Sequence, residues 1–107
     1  MTTVRRYLAP SSIEGLEAFA AAPIKSGDIV WRFDPRLDQS VPRVMLQDQL
    51  PHVRERCGYD HPDAPDMLVL DADEGRFMNH ADEPDLDFTP PDVGWARRDI
   101  AAGEELT

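Results

Sequence analysis

The chain has 107 residues, 21 acidic against 11 basic, with a formal net charge of -10 and a pI near 4.5. That length allows one domain around a single core, and the acidic balance argues against nucleic acid as a partner, because phosphate binding needs a basic face and no Lys/Arg cluster longer than a pair occurs. The single cysteine, Cys57, leaves no disulfide within these residues, no apolar run follows the N-terminal arginines as in a signal peptide, and no stretch approaches the ~20 apolar residues of a membrane span. The expectation is a soluble, cytoplasmic, single-domain protein that attracts a basic protein or peptide and engages neither nucleic acid nor membrane.

In chain order, residues 4–8 read as a short strand closed by Pro10-Ser11-Ser12. Residues 13–20 read as a second, entered through Gly15, which marks a turn or a close backbone approach. Residues 23–27 form a turn, and 28–33 a third strand whose Val30 and Trp31 are apolar at both phases, predicting burial on both faces. Ser40 is expected to cap a helix that gathers Val41, Val44, Met45 and Leu50 on one face, with Pro42 in its first turn. Pro51 interrupts it, a second short helical piece runs over 52–57, and the proline- and aspartate-rich span 60–66 is a loop. Met67-Leu68-Val69-Leu70 is a compact buried strand, and 71–74 a turn. Leu86 and Phe88 alternate with Asp85 and Asp87 as in a half-buried strand, Pro90-Pro91-Asp92 closes it, and 93–96 begin the last strand.

An internal echo crosses this order. Residues 19–30 align without a gap to residues 95–106: aromatic, alanine, a bend, isoleucine, glycine, acid, then an apolar residue. Each copy is predicted to be a strand, a turn that pins its isoleucine in the core, a glycine at positive φ, and a second strand. Two copies are too few for a solenoid, so the repeat is a corner used twice in one β-rich domain.

The stretch Gly75-Arg76-Phe77-Met78-Asn79-His80 sets two apolar residues ahead of an Asn-His pair, and Ala81-Asp82-Glu83-Pro84-Asp85 then turns the chain outward. Local sequence alone favours an Asn and a His satisfied by backbone groups over a ligand site. A metal site from His52, Cys57 and His61 with Asp60, Asp63 or Asp66 is loosely spaced for zinc, and exposed histidines with a buried cysteine are the preferred reading. Trp31 and Trp95 are both read as core residues, with a cation-π role left open for Trp95.

Taken together, Gly15-Leu16 ahead of Phe19-Ala20, the Arg76 to His80 stretch, and the ending Gly103-Glu104-Glu105-Leu106-Thr107 resemble the SET-domain protein lysine methyltransferases, over nearly the whole sequence. The resemblance implies a mainly β, SET-type β-clip fold of short strands in small curved sheets, with one or two short helices between Ser40 and Cys57. It makes 1–107 one SET-like domain, with 34–66 a variable insert. It also implies S-adenosylmethionine as cofactor and a lysine-bearing basic protein or peptide as substrate. By carry-over, Gly15, Leu16 and the neighbouring Glu17 would lie along the cofactor, Arg76 and Phe77 would line its pocket, and Asn79 with the backbone of His80 would hold its two ends. Three positions depart from the family. Glu17 stands where many members have a second glycine, and Ala81 and Asp85 replace the serine and final asparagine of the family's Asn-His-Ser-Cys-Asp-Pro-Asn loop. No residue matches the catalytic tyrosine that follows Glu-Glu-Leu-Thr in the family, and neither Tyr7 nor Tyr59 follows that motif. The implied function is therefore a SET-type methyltransferase, impaired if that segment is missing, with a non-catalytic cofactor-binding or interaction module as the alternative.

Overall fold

The computed structural model describes residues 1–51 and 58–107, in which short strands make three antiparallel sheets. A hairpin pairs β1 (Arg6–Pro10) with β2 (Leu16–Ala20), Arg6 opposite Ala20 and Pro10 opposite Leu16. Gly15, at φ 59°, turns the chain into β2. The second sheet has β8 (Val93–Ala96) between β3 (Ile29–Arg32) and β7 (Leu86–Asp87). The third has β6 (Met67–Leu70) between β4 (Gln39–Pro42) and β5 (Tyr59–Asp60). One α-turn, α1 (Val44–Gln47), follows β4, and a 3-10 turn, η1 (Glu74–Phe77), follows β6 and packs against β2. This is the mainly β architecture of small sheets that the sequence implied.

The repeated corner is the centre of the fold. Ile24 and Ile100 exchange both backbone hydrogen bonds, at 2.9 and 2.8 Å. The flanking bonds come in matched pairs: Gly27 N–H donates to the Ala96 carbonyl at 2.7 Å, and Gly103 N–H to that of Ala20 at 2.8 Å. Likewise Ala96 donates to Asp28 at 2.9 Å, and Ala20 to Glu104 at 2.8 Å. The two corners are thus related by a local two-fold through the isoleucine pair. Gly27 and Gly103 adopt φ of 89° and 91°, the left-handed region where a side chain is strained, which is why each copy needs glycine at this place. The corner's apolar positions, Ala20, Ile24 and Val30 from one copy and Ala96, Ile100 and Leu106 from the other, are all buried and join Leu86 in one core cluster.

Around this core, two fully buried carboxylates are matched to donors rather than left alone, as burial of charge demands. Asp38 and Asp71 receive the α-ammonium of Met1 at 3.0 and 3.4 Å, and Asp71 also accepts from Trp31 Nε1 at 3.0 Å. Burial still pushes the Asp71 carboxyl above its ordinary value, against the opposing effects of the Met1 ammonium and the Trp31 N–H. Arg6 ties β1 to η1 by ion pairs to Asp73 and Glu74.

Four local expectations are corrected. Residues 39–42 are strand rather than helix: Ser40 pairs with Val69 and Val41 with Leu68, so neither Ser40 nor Pro42 begins the helix, and Val41 is buried from a strand. The helix starts at Val44 behind Arg43, which makes no side-chain cap, and Val44, Met45 and Leu50 are exposed. An alternating Gln39-Ser40-Val41-Pro42 segment beside the apolar β6 gains four ladder partners, which outweighs a marginal helix start. Asp60, expected in a loop, ends the two-residue strand β5. Trp95 is 40% exposed and pairs across the sheet with the equally exposed Ile29, so only Trp31 is a core tryptophan. The helical piece expected over 52–57 lies outside the described residues.

Candidate functional site

The Asn-His stretch leaves η1 where three distant parts of the chain meet. Asp73 caps η1 by accepting from Gly75 N–H at 3.0 Å, so the turn is closed early and Met78-Asn79-His80 continue extended. Asn79 Nδ2 then donates to Glu105 Oε1 at 2.8 Å, and at 3.3 Å to Ser11 Oγ, which itself donates to Glu105 Oε2 at 2.8 Å. Ser11 also accepts from the Ile13 N–H at 2.9 Å, holding the loop that leads to Gly15 and β2. Hairpin loop, Asn-His stretch and C-terminal segment are therefore joined through one carboxylate. The sequence reading passed over Ser11 and assigned no role to Glu105; a serine two residues ahead of a donor N–H in a turn was the available signal.

The seven candidate cofactor residues lie along this junction in unequal states of exposure. Gly15, Leu16 and Arg76 are exposed, with the Arg76 guanidinium 5.3 Å from the Phe77 ring centroid; Phe77 and Asn79 are half-buried, and His80 is exposed. Glu17 is 2% exposed and turns into the protein, so its side chain does not project over the strand surface. Of the seven, only Asn79 and His80 also line the pocket described next.

Beside Asn79 and His80 opens a pocket of about 370 Å³. Trp31, Tyr59, Met78, Leu86, Phe88 and Pro91 supply much of its wall, with Asp60 and Thr107 also present. Tyr59 reaches it from β5, with its hydroxyl donating to the Gly75 carbonyl at 2.8 Å. Burial, reinforced by the charges of Asp71 and Glu17, pushes the Tyr59 phenol above its ordinary value, so it stays protonated at physiological pH. The sequence reading gave Tyr59 no part in a site, since it is brought beside the Asn-His stretch by the β5–β6 pairing and by its bond to Gly75.

The departures from the family loop have structural answers. Asp85 is buried, and its carboxylate accepts from Arg98 Nε at 2.7 Å and from the Thr107 hydroxyl at 3.2 Å, while its backbone carbonyl accepts from Arg97 N–H at 2.8 Å. Leu86 N–H donates to the Thr107 carbonyl at 3.0 Å, and Leu106 N–H to that of Ala18 at 2.9 Å, so the Leu106-Thr107 segment bridges β7 and β2. Arg98 supplies the cation that a buried aspartate requires here. Ala81, on the exposed turn after His80, offers no hydroxyl.

Among the described residues no group of three or more His, Cys, Asp or Glu could hold a metal ion; His52 and Cys57 of the metal reading lie outside them. No helix among the described residues is long and apolar enough to cross a membrane.

The chain's fold is similar to that of several solved structures. A Plasmodium falciparum chain assigned as a histone methyltransferase matches with a TM-score of 0.65 at 19% identity, over 97% of this chain and 90% of that one. A humanized mutant of the Chaetomium thermophilum Polycomb Repressive Complex 2 matches with a TM-score of 0.67 at 22% identity, over 96% of this chain and 14% of that one. The Neurospora SET domain protein DIM-5, a histone lysine methyltransferase, matches with a TM-score of 0.63 at 18% identity, over 99% of this chain and 52% of that one. No match was found among curated protein sequences. The sequence model of the SET domain matches residues 15–107, from the hairpin glycine through the junction to the closing Glu105-Leu106-Thr107, and the chain belongs to the SET domain family.

Proposed function

We propose that the protein is an S-adenosylmethionine-dependent protein lysine methyltransferase of SET type. The observation that carries the proposal is the Asn79–Glu105–Ser11 junction, which brings together the three segments expected to hold the cofactor and sets them beside an aromatic pocket. The residues present suit the cofactor chemically. Asn79 offers an amide, Gly15 and Leu16 an exposed backbone edge, and Arg76 and Phe77 a cation and a ring face, while Glu105 and the net charge of -10 complement a sulfonium. The Glu17 side chain is buried in β2, so any contribution it makes at the shelf is through its backbone. S-adenosylmethionine, when bound, supplies an electrophilic methyl group. The protein's own part is to align a neutral lysine nitrogen with that methyl and to exclude water, which calls for positioning more than for acid-base groups. The acidic surface draws basic protein segments towards the pocket, and the cytoplasm is the compartment this reading implies.

A second reading is a non-catalytic module that keeps the cofactor shelf. It is favoured by the state of the tyrosine that lines the pocket: the Tyr59 hydroxyl is committed to the Gly75 carbonyl. Transfer of a labelled methyl group from S-adenosylmethionine to lysines of a basic protein panel separates the two. Labelled methyl-lysine supports the enzyme; cofactor binding by calorimetry without transfer supports the module; neither sinks both.

A further inference from the structure

We propose that Asp71, which does not itself line the pocket, is the residue that positions its walls: one carboxylate holds the Trp31 indole and abuts the Gly75 backbone to which Tyr59 is tied. Its consequence for catalysis rests on the methyl-transfer reading; its effect on the pocket does not. Trp31 and Tyr59 reach the cavity from different sheets, β3 of the second and β5 of the third, so among the described residues no strand pairing fixes one ring relative to the other. Asp71 follows β6, the central strand of the third sheet, and both its oxygens accept from Trp31 Nε1, at 3.0 Å each. On its other side, Oδ2 lies so near Gly75 that a Cβ there would stand 2.5 Å from it. The Gly75 carbonyl in turn accepts from the Tyr59 hydroxyl at 2.8 Å. Trp31, Asp71, Gly75 and Tyr59 thus make one line of contacts behind the cavity, and Phe88, edge to face with Trp31 at 5.6 Å, is carried with it.

The position calls for a carboxylate. The Asp71 side chain is fully buried, and the polar groups that reach its oxygens are donors: the indole N–H and, at 3.4 Å, the Met1 ammonium. An ionised carboxylate accepts at both oxygens, whereas an amide of the same shape accepts at one and turns an NH2 towards a donor or towards Gly75. Gly75 is glycine for the same contact. Its φ is not positive, so alanine suits its backbone, and what a methyl group there meets first is Asp71 Oδ2, then Asp73 Oδ1 at 3.1 Å and Thr2 Cγ2 at 3.3 Å. Asp71 can therefore be disturbed from two independent sides, by removing its charge or by pushing the unchanged carboxylate off the indole. In either case the Met1 ammonium keeps Asp38 at 3.0 Å and the Arg32 carbonyl at 3.1 Å.

The test uses the 107-residue chain. Without cofactor, NMR follows the indole N–H of Trp31, with that of exposed Trp95 as internal reference. In the parent, the Trp31 N–H should exchange with solvent at least about tenfold more slowly than that of Trp95. Asp71→Asn and Gly75→Ala should each shift the Trp31 N–H and speed its exchange while leaving Trp95 in place, in proteins whose circular dichroism spectra match the parent. With S-adenosylmethionine and a basic protein, both variants should lower kcat/KM for the protein by about a hundredfold, the loss expected when reacting groups are misplaced by about 1 Å, and keep the KM for the cofactor within about twofold. General loss of structure would weaken both together.

Fast exchange of the parent Trp31 N–H overturns the proposal without any variant. So do variants that leave that signal unmoved, a moved signal with transfer undiminished, or a cofactor KM that rises about as far as kcat/KM falls. A parent that transfers no methyl group sinks the enzyme reading alone, and the Trp31 signal of the two variants then still decides whether Asp71 sets the pocket.

Discussion

Removing Asn79 and Glu105 singly and together probes the junction on which the functional reading depends. The Glu105 carboxylate accepts two bonds, from Asn79 Nδ2 and from Ser11 Oγ, each at 2.8 Å. Hydrogen bonds to a charged group contribute about 1.5–3 kcal/mol, and the half-buried setting puts these at the lower end. Asn79→Ala should then cost about 1.5 kcal/mol, and Glu105→Ala, which removes both bonds, about 2–3 kcal/mol. The double variant should cost less than the sum by about 1–1.5 kcal/mol, the energy of the one bond the two share. Urea unfolding followed by tryptophan fluorescence reads this as shifts in midpoint at constant slope. Single effects that add to within about 0.5 kcal/mol would refute the argument, since additivity means the two groups do not hold each other.

The matched corners give a symmetric prediction: Gly27→Ala and Gly103→Ala should each destabilise by about 1–2 kcal/mol and by similar amounts, because each meets open space or a single atom at 3.9 Å and pays only for its φ. Unequal losses in thermal unfolding would disprove the local two-fold as an energetic unit. Leu106→Ala should cost about 2–5 kcal/mol, while Val44→Ala should stay within about 0.5 kcal/mol, a contrast that fails if α1 buries a helical face. Asp73 titrates in the acid range. Burial raises its carboxyl, but donors from Thr2, Gly75 and Arg6 overcome that and hold it below its ordinary 3.8. A carboxyl depressed in the folded state stabilises above its unfolded pKa, so its contribution is full above about pH 4 and fades as pH falls through the lower folded value. Asp73→Asn should flatten the acid limb of a stability–pH curve, and an unchanged limb would contradict this.

Much of the fold was legible because its organising signals are short-range and repeated. The run Met67-Leu68-Val69-Leu70 is strand β6 to the residue, and the echo between residues 19–30 and 95–106 anticipated the paired corners, since glycine, isoleucine and acid recur in one order. Val30 and Trp31, apolar at successive positions, are both buried as that pattern requires. The failures have a common physical cause. Ser40 and Pro42 carry helix-start chemistry, yet β6 lies alongside and its ladder decides. Trp95 has the composition of a core residue, but it stands 40% exposed between the cross-strand partners Ile29, itself 39% exposed, and Asp87. At the site, Asn79 was evident from its motif, whereas Tyr59 and Ser11 were not, because their roles come from contacts with Gly75 and Glu105 far along the chain.

The clasp between Ile24 and Ile100 also bears on how the chain comes to be folded. Each corner presents alanine, isoleucine and an aliphatic residue that find cover mainly in the other copy, so nascent protein that has not yet emerged beyond residue 95 holds half of a core. Loop closure between distant parts of the sequence must precede any reward from burial, which makes the folding slow for its size. Until then Ile24 and Val30 are open to wrong partners, among them the same corner of a neighbouring chain, and exchange of corners between two copies is the misassembly this architecture most readily permits.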